Sequence, residues 1–171
     1  MATGRKPVIV RKLSRDWTAG YADSEFDPGS GELELLDQAG KVLRIGWEQI
    51  KWICYLRDLA ASAGDPANPE KLLQKRFRTR PRTAGLWLRI TLSDRDQIEG
   101  IAANDASLVK GAGLMLTPPD TRSNTQRVFV PMQAIESLEV VGLIGAVGKR
   151  QATGRSDEEQ ASLFPAEPEA E

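Results

Sequence analysis

The chain contains no histidine among its 171 residues and only one cysteine, Cys54. Without histidine there is no imidazole to activate a serine or cysteine nucleophile, to bind zinc or to act as the usual general base near neutral pH. No other pair of groups stands out as nucleophile and base, so we predict a protein that is not an enzyme, with no metal and no cofactor. A single cysteine cannot form an intrachain disulfide, which fits a reducing cytoplasm.

Long apolar runs are also missing from the sequence. The longest is far shorter than the roughly 20 residues that a membrane-spanning helix requires. The N-terminal residues 1–7 are basic and lack the apolar stretch of a secretory signal. We therefore expect a cytoplasmic protein that does not interact with a membrane.

Charge is balanced overall but unevenly placed along the chain. The formal net charge is −1. Residues 71–82 nevertheless contain six basic side chains and no acid, whereas residues 156–171 contain six acids and no base. Because local fields decide contacts with charged partners, the small net charge does not exclude an anionic ligand.

Short strands with a repeated layout are the main structural signal. Residues 7–13 have high β-propensity, and residues 86–93 alternate apolar and polar side chains with the period of a half-buried strand. Aligning the chain with itself places Val8 on Leu88 and Gly20 on Gly100. After a variable loop of different length in the two copies, the alignment resumes and places Ile50 on Ile135. We interpret this agreement as two diverged copies of one unit, the alternative being a chance match between two β-rich segments.

These observations predict an all-β protein made of two tandem small, bent antiparallel barrels of the Sm-like or SH3-like kind. Glycines 20 and 100 would mark bends or bulges at the corners of the barrels. The predicted organisation is a first barrel at 1–62, a basic linker with a short helix at 63–85, a second barrel at 86–147 and a disordered acidic tail at 148–171. The helix would begin at Asn68-Pro69 and extend to about Phe77.

Each unit resembles the Sm and Hfq family, whose members are five-stranded bent β-barrels. The resemblance lies in an early strand with a turn and a later glycine, residues 92–100 here, and in the last two strands, residues 128–138. The Lys-His pair with which Hfq holds RNA bases is absent, since Pro131-Met132 or Met132-Gln133 occupies its place. The segment 49–58 is also similar to an uncharacterised bacterial family with this tandem layout, which would imply a bacterial source.

The basic run is the strongest chemical feature of the sequence. Arginines that alternate in an extended chain project on one side, and their planar forks can hold phosphates. An aromatic side chain within the run could stack on a base. The candidate site for RNA, DNA or another anionic ligand therefore comprises Lys75, Arg76, Phe77, Arg78, Arg80 and Arg82. The alternative is a solvated linker.

A second resemblance is to PilZ domains, β-barrels that bind cyclic di-GMP. It lies in arginines 78 and 82 followed by Asp105 and Ser107, with Gly111 one residue later than the PilZ pattern places it. A cyclic-dinucleotide sensor using these four residues is one alternative function. Asp94, Asp96 and Glu99 are interpreted as turn formers and a solvated edge rather than as metal ligands.

The remaining alternative is a scaffold that binds a protein partner or forms a homo-oligomer through edge strands. In the segment 50–56 both alternating faces are apolar, which predicts a strand covered on both sides. The four tryptophans are predicted to fill cores or interfaces. We therefore carry forward a regulatory binding module for an anionic partner, with a scaffold and a cyclic-dinucleotide sensor as its alternatives.

Overall fold

The computed structural model describes residues 4–59, 70–120 and 122–145. Two short helices, α1 (Lys71–Gln74) and α2 (Ser107–Lys110), accompany ten strands. The strands are β1 (Lys6–Lys12), β2 (Trp17–Ala22), β3 (Glu32–Leu36), β4 (Val42–Gly46), β5 (Ile50–Leu56), β6 (Gly85–Leu92), β7 (Gln97–Ala102), β8 (Gly113–Thr117), β9 (Thr125–Pro131) and β10 (Ile135–Ile144). The prediction of an all-β protein is confirmed.

The ten strands form one antiparallel sheet in the order β10-β6-β7-β8-β9-β5-β1-β2-β3-β4. The prediction of two tandem barrels is not confirmed, because the ten strands form one sheet that does not close into a barrel. The reason lies at the centre of the sheet. The edge of β5 that faces away from β1 pairs with β9 of the other half rather than with β4, so one half continues into the next.

The pairings of the first five strands recur in the last five, at the positions that the alignment of the two copies makes equivalent. Val8 of β1 lies opposite both Gly20 and Tyr55, and Leu88 of β6 lies opposite Gly100 and Val140. A 3-10 turn precedes β5 at residues 47–49 and another precedes β10 at residues 132–134. The turns after β1 and β6 each place an arginine, 15 and 95, at a φ of 72°. Local geometry therefore follows the same plan in both halves.

Glycine is required where the third strand of each half crosses the second. A Cβ on Gly20 would lie 2.5 Å from the backbone oxygen of Leu36, and one on Gly100 would lie 2.9 Å from Cβ of Leu116. No larger residue fits without displacing the neighbouring strand. The predicted tight corners at these two glycines are thus close approaches between strands.

Strand β5 is buried along its whole length, as its doubly apolar pattern predicted. One face, with Trp52, Cys54 and Leu56, belongs to a core shared with the second half. The other face, with Ile53 and Tyr55, belongs to the core of the first half. Covering both faces of one strand joins the halves through apolar burial, the dominant favourable term in folding.

The linker helix is shorter than predicted. It ends at Gln74, and residues 75–84 form neither helix nor strand, with bends at 78–79 and 83–84. The predicted start at Asn68-Pro69 and the predicted tail at 148–171 lie outside the described residues. Since the two helices in the described ranges have four residues each, neither is long or apolar enough to cross a membrane.

Candidate anion-binding cleft

The irregular segment 75–84 runs along the second half and is held there by a buried carboxylate. Glu99 on β7 is only 4% exposed. It accepts hydrogen bonds from Nε and Nη2 of Arg89 at 3.2 and 3.1 Å and from the backbone N–H of Phe77 at 3.3 Å. Arg76 adds a salt bridge at 3.7 Å and donates to the carbonyl of Gln97. A buried charge needs such partners, so Glu99 fixes the path of the segment.

A second anchor holds the start of the segment. Nζ of Lys75 lies 2.9 Å from a carboxylate oxygen of Asp120, in the loop after β8. The hydrogen bond from Lys75 lowers the pKa of Asp120 and outweighs the opposing effect of burial. Lys75 is therefore neutralised by an acid within the structure, and its charge is not freely available to a ligand.

The three remaining arginines of the run have different roles. All three side chains are exposed. Arg80 donates a hydrogen bond of 3.0 Å to the carbonyl of Leu143 on β10, which ties the segment to the last strand. Within the described residues, Arg78 and Arg82 form no hydrogen bond or salt bridge with another side chain. These two guanidinium groups keep their full donor capacity.

Phe77 lines the cleft and also packs against Trp87 of β6. Its ring is half-buried and packs edge-to-face on Trp87, with centroids 5.6 Å apart and planes at 74°. Sequence reasoning treated this ring as a stacking platform for a base. The contact with Trp87 holds the ring in place, and stacking on a base stays a prediction.

Together these residues line a cleft of about 730 Å³. Its walls come from residues 74–83 and from Pro119 and Asp120. The lining carries five bases and one acid, and that acid is already paired with Lys75. Such a surface can bind an anion through charge-assisted hydrogen bonds, and the fixed backbone reduces the entropy lost on binding.

Asp105 and Ser107, the acidic and hydroxyl members of the PilZ-like set, are not among the residues that line this cleft. The carboxylate of Asp105 accepts the backbone N–H of Ser107 at 2.8 Å, and both residues lie at the start of α2. The hydrogen bonds from Ser107 lower the pKa of Asp105. The structure thus gives these two residues a local role at the helix terminus.

Sequence reasoning missed the acids that organise this half of the protein. Asp94 and Asp96 both form salt bridges with Lys51, which is fully buried in β5. The interpretation as turn formers fits Asp94, whose carboxylate accepts the backbone N–H of Asp96, but a solvated edge does not describe Glu99, which is buried. Their partners lie on other strands, distant in sequence, so no local pattern reveals them. In the part of the chain that the structure describes, no three acidic or cysteine side chains form a metal-binding group.

Comparison with known proteins gives one result. A family model described as "Family of unknown function (DUF6982)" matches residues 4–142. No curated protein and no solved structure matches the chain. The matched range contains all of the cleft and nine of the ten strands in full.

Proposed function

We propose that this chain, which belongs to the family of unknown function DUF6982, is a non-enzymatic regulatory module that binds nucleic acid in this cleft. Membership in that family does not itself imply any activity. The observation that carries the proposal is a pair of exposed, unneutralised guanidinium groups, Arg78 and Arg82, on a backbone fixed by Glu99. Planar guanidinium forks bind phosphate oxygens in a bidentate manner, with a geometry that lysine cannot reproduce.

The spacing of the two arginines favours a strand of phosphates over a single phosphate. Four residues span at most roughly 14 Å of chain. This spacing can match phosphates along an extended single strand of nucleic acid, whereas one small anion contacts only one guanidinium group. The resemblance of each half to Sm and Hfq proteins also favours RNA among the nucleic acids, although the Lys-His pair is absent.

The test is fluorescence anisotropy with labelled 12-nucleotide RNA and DNA strands at 50 mM salt. We expect Arg78→Ala/Arg82→Ala to weaken binding by at least about tenfold for each arginine, since a hydrogen bond to a charged group contributes about 1.5–3 kcal/mol. The slope of log K against log salt should fall by about 1.4, or about 0.7 for each phosphate contact of a single strand.

The matched control is Arg5→Ala/Lys110→Ala, which removes the same charge from two exposed positions outside the cleft. This control should retain nearly all of the affinity. The absence of binding to either strand at 50 mM salt would rule out the proposal. Calorimetry with cyclic di-GMP completes the test, because binding of that ligand with loss on the arginine substitutions would assign the cleft to a cyclic dinucleotide instead.

A further inference from the structure

The joint between the two halves is a strand pair that the chain could form again with a second copy of itself. Strand β5 pairs with β9 in the register Ile53 to Phe129, Cys54 to Val128 and Tyr55 to Arg127. In the alignment that places Ile50 on Ile135, β10 occupies in the second half the place of β5. In the same alignment, β4 occupies in the first half the place of β9. Strands β5 and β9 are therefore paired with each other, whereas their counterparts β10 and β4 are not paired with each other.

Both counterpart edges are open within the described residues. Strand β4 pairs only with β3, and β10, ten residues long, pairs only with β6. An open edge presents unpaired backbone N–H and C=O groups, and proteins usually shield long edges with charge, proline or a covering element. No described strand pairs with either of them on its outer side, and these two strands are the ends of the sheet, although Arg80 occupies the carbonyl of Leu143 near the end of β10.

Apolar side chains are exposed along the same two edges. Val42 on β4 is 47% exposed, and β10 carries Leu138, Val140 and Leu143 at 42, 54 and 57%. Their counterparts in the formed joint behave differently: Tyr55, at the position of Val140, is 6% exposed, and Ile53, at the position of Leu138, is fully buried. Tyr55 also stacks on Phe26 of its own half, so pairing with β9 accounts for only part of the difference.

We propose that β10 of one chain pairs antiparallel with β4 of a second copy and so repeats the β5–β9 joint between molecules. The internal register, transferred to the equivalent positions, places Val140 opposite Val42, Glu139 opposite Leu43 and Leu138 opposite Arg44. The two most exposed edge valines then cover each other, and cross-strand pairs of this kind stabilise a sheet.

Charge supports this choice of partner over pairing between two identical edges. Strand β10 carries Glu136 and Glu139 and no base, whereas β4 carries Arg44 and no acid and follows directly on Lys41. Pairing β10 with β10 would bring like charges together, which destabilises a sheet. Joining unlike edges leaves one of each free on the dimer, so the assembly continues into a ring or a filament.

The first experiment is the mass of the full chain in solution, measured by light scattering over a range of concentrations. A single chain has a mass of 18.8 kDa. We expect multiples of that mass that grow with concentration. Val42→Lys and Val140→Lys should each weaken association by at least about tenfold, because each buries an unpaired ammonium group in the joint. Val109→Lys is the matched control, since Val109 is 87% exposed on α2, outside both edges.

The second experiment tests direction and register. The Val42→Lys protein keeps an open β10, and the Val140→Lys protein keeps an open β4. Mixing the two should give a dimer of twice 18.8 kDa and nothing larger. A single chain that carries both Val42→Glu and Val140→Lys should assemble again, because the two new charges lie opposite each other in the proposed register.

Three results would overturn the proposal. One is a wild-type chain that stays at 18.8 kDa at every concentration. Another is an assembly that Val140→Lys abolishes and Val42→Lys leaves intact, which would mean that β10 pairs with β10. The third is a full-length monomer that assembles only after residues 146–171 are removed, which would make that segment the occupant of the edge. Since each readout is a mass, the result does not depend on whether nucleic acid binds.

Discussion

Strands β5 and β10 hold equivalent positions in the two halves of the chain, yet their surroundings differ. β5 lies between β1 and β9 and is buried at every residue, whereas β10 has β6 on one side and is exposed over most of its length. Position for position, Trp52 and Cys54 of β5 correspond to Ser137 and Glu139 of β10. These two residues of β5, which a neighbouring half covers, are apolar, whereas both of their counterparts on β10 are polar.

Comparing the two strands distinguishes the side chains that pack within the strand's own half from those that pack against a neighbouring half. Ile53 and Tyr55 face the core of the first half, and their counterparts Leu138 and Val140 are also apolar although exposed. These exposed apolar side chains on one edge are the surface that the proposed contact with a second copy would cover. The polar residues of β10 show that the other face remains in water.

The largest expected effect comes from breaking the covered side of β5. Trp52 is fully buried in the core that the two halves share, and Nζ of Lys51 lies 4.8 Å from the centre of its ring. Trp52→Ala should lower the free energy of unfolding by about 3–5 kcal/mol, through lost burial and the cavity it leaves. Urea denaturation followed by circular dichroism measures this loss.

The matched change in β10 is Ser137→Ala, at the position equivalent to Trp52. Since Ser137 is exposed, the free energy of unfolding should change by less than about 0.5 kcal/mol. Equal losses from the two substitutions would contradict the view that only β5 is covered on this side.

A smaller effect should appear on acidification, and of the two matched strands it should involve β5, whose Lys51 pairs with Asp94. Burial alone would raise the pKa of Asp94. The hydrogen bonds from Lys51 and from the backbone lower it by more, so the pKa of Asp94 lies below its ordinary value of 3.8. A carboxyl with a lowered pKa in the folded state stabilises the protein above pH 3.8 and loses that contribution as the pH falls through the lowered value. Stability should therefore decline below pH 3.8.

The control for this acid response uses equivalent positions in the two strands. Lys51→Met removes the partner of Asp94, so its stability deficit relative to the wild type should shrink as the pH falls from 5 to 3. Glu136→Met, at the matching position in β10, removes a carboxylate that lies 3.4 Å from an exposed arginine, Arg95. Its difference from the wild type should be small at both pH values. Urea midpoints measured at pH 5, 4 and 3 decide between the two outcomes.

How much of the fold could be predicted from the sequence depends on how far apart in sequence the interacting residues lie. Alternating side chains indicated strands such as β6, and the doubly apolar segment indicated that β5 is covered. The joining of the halves into one sheet could not be predicted, because β9, the partner that β5 selects, lies in the other half of the chain. Local patterns specify a strand and its faces but do not specify its neighbour.

The candidate site, too, was predictable only where it depends on local sequence. The run of bases was visible, but which of them are free depends on acids distant in sequence. Glu99 anchors Arg76 and Phe77 from a strand that lies beyond the whole of β6, and Asp120, in the loop after β8, neutralises Lys75. Six candidate residues thereby reduce to two free arginines, a reduction that only the folded structure could make.

The smallest effect on stability, and the most direct view of the two strands, comes from thiol chemistry. Burial raises the pKa of Cys54 to about 12, so at pH 8 this thiol should not react with a disulfide reagent such as DTNB until the protein unfolds. Glu139→Cys places a second thiol at the matching position in β10, where the side chain it replaces is 63% exposed. In a dilute solution of single chains, the new thiol should react rapidly while Cys54 does not.

Concentration then sharpens the comparison. If a second copy covers β10 as a neighbouring half covers β5, the reaction rate of the new thiol should fall as the protein concentration rises. A chain that carries both Glu139→Cys and Val42→Lys has a blocked β4, so its thiol should react rapidly at every concentration. A rate independent of concentration in a protein that does assemble would place the contact elsewhere. Rapid reaction of Cys54 in the folded wild type would contradict the burial of β5, and with it the distinction between the two strands.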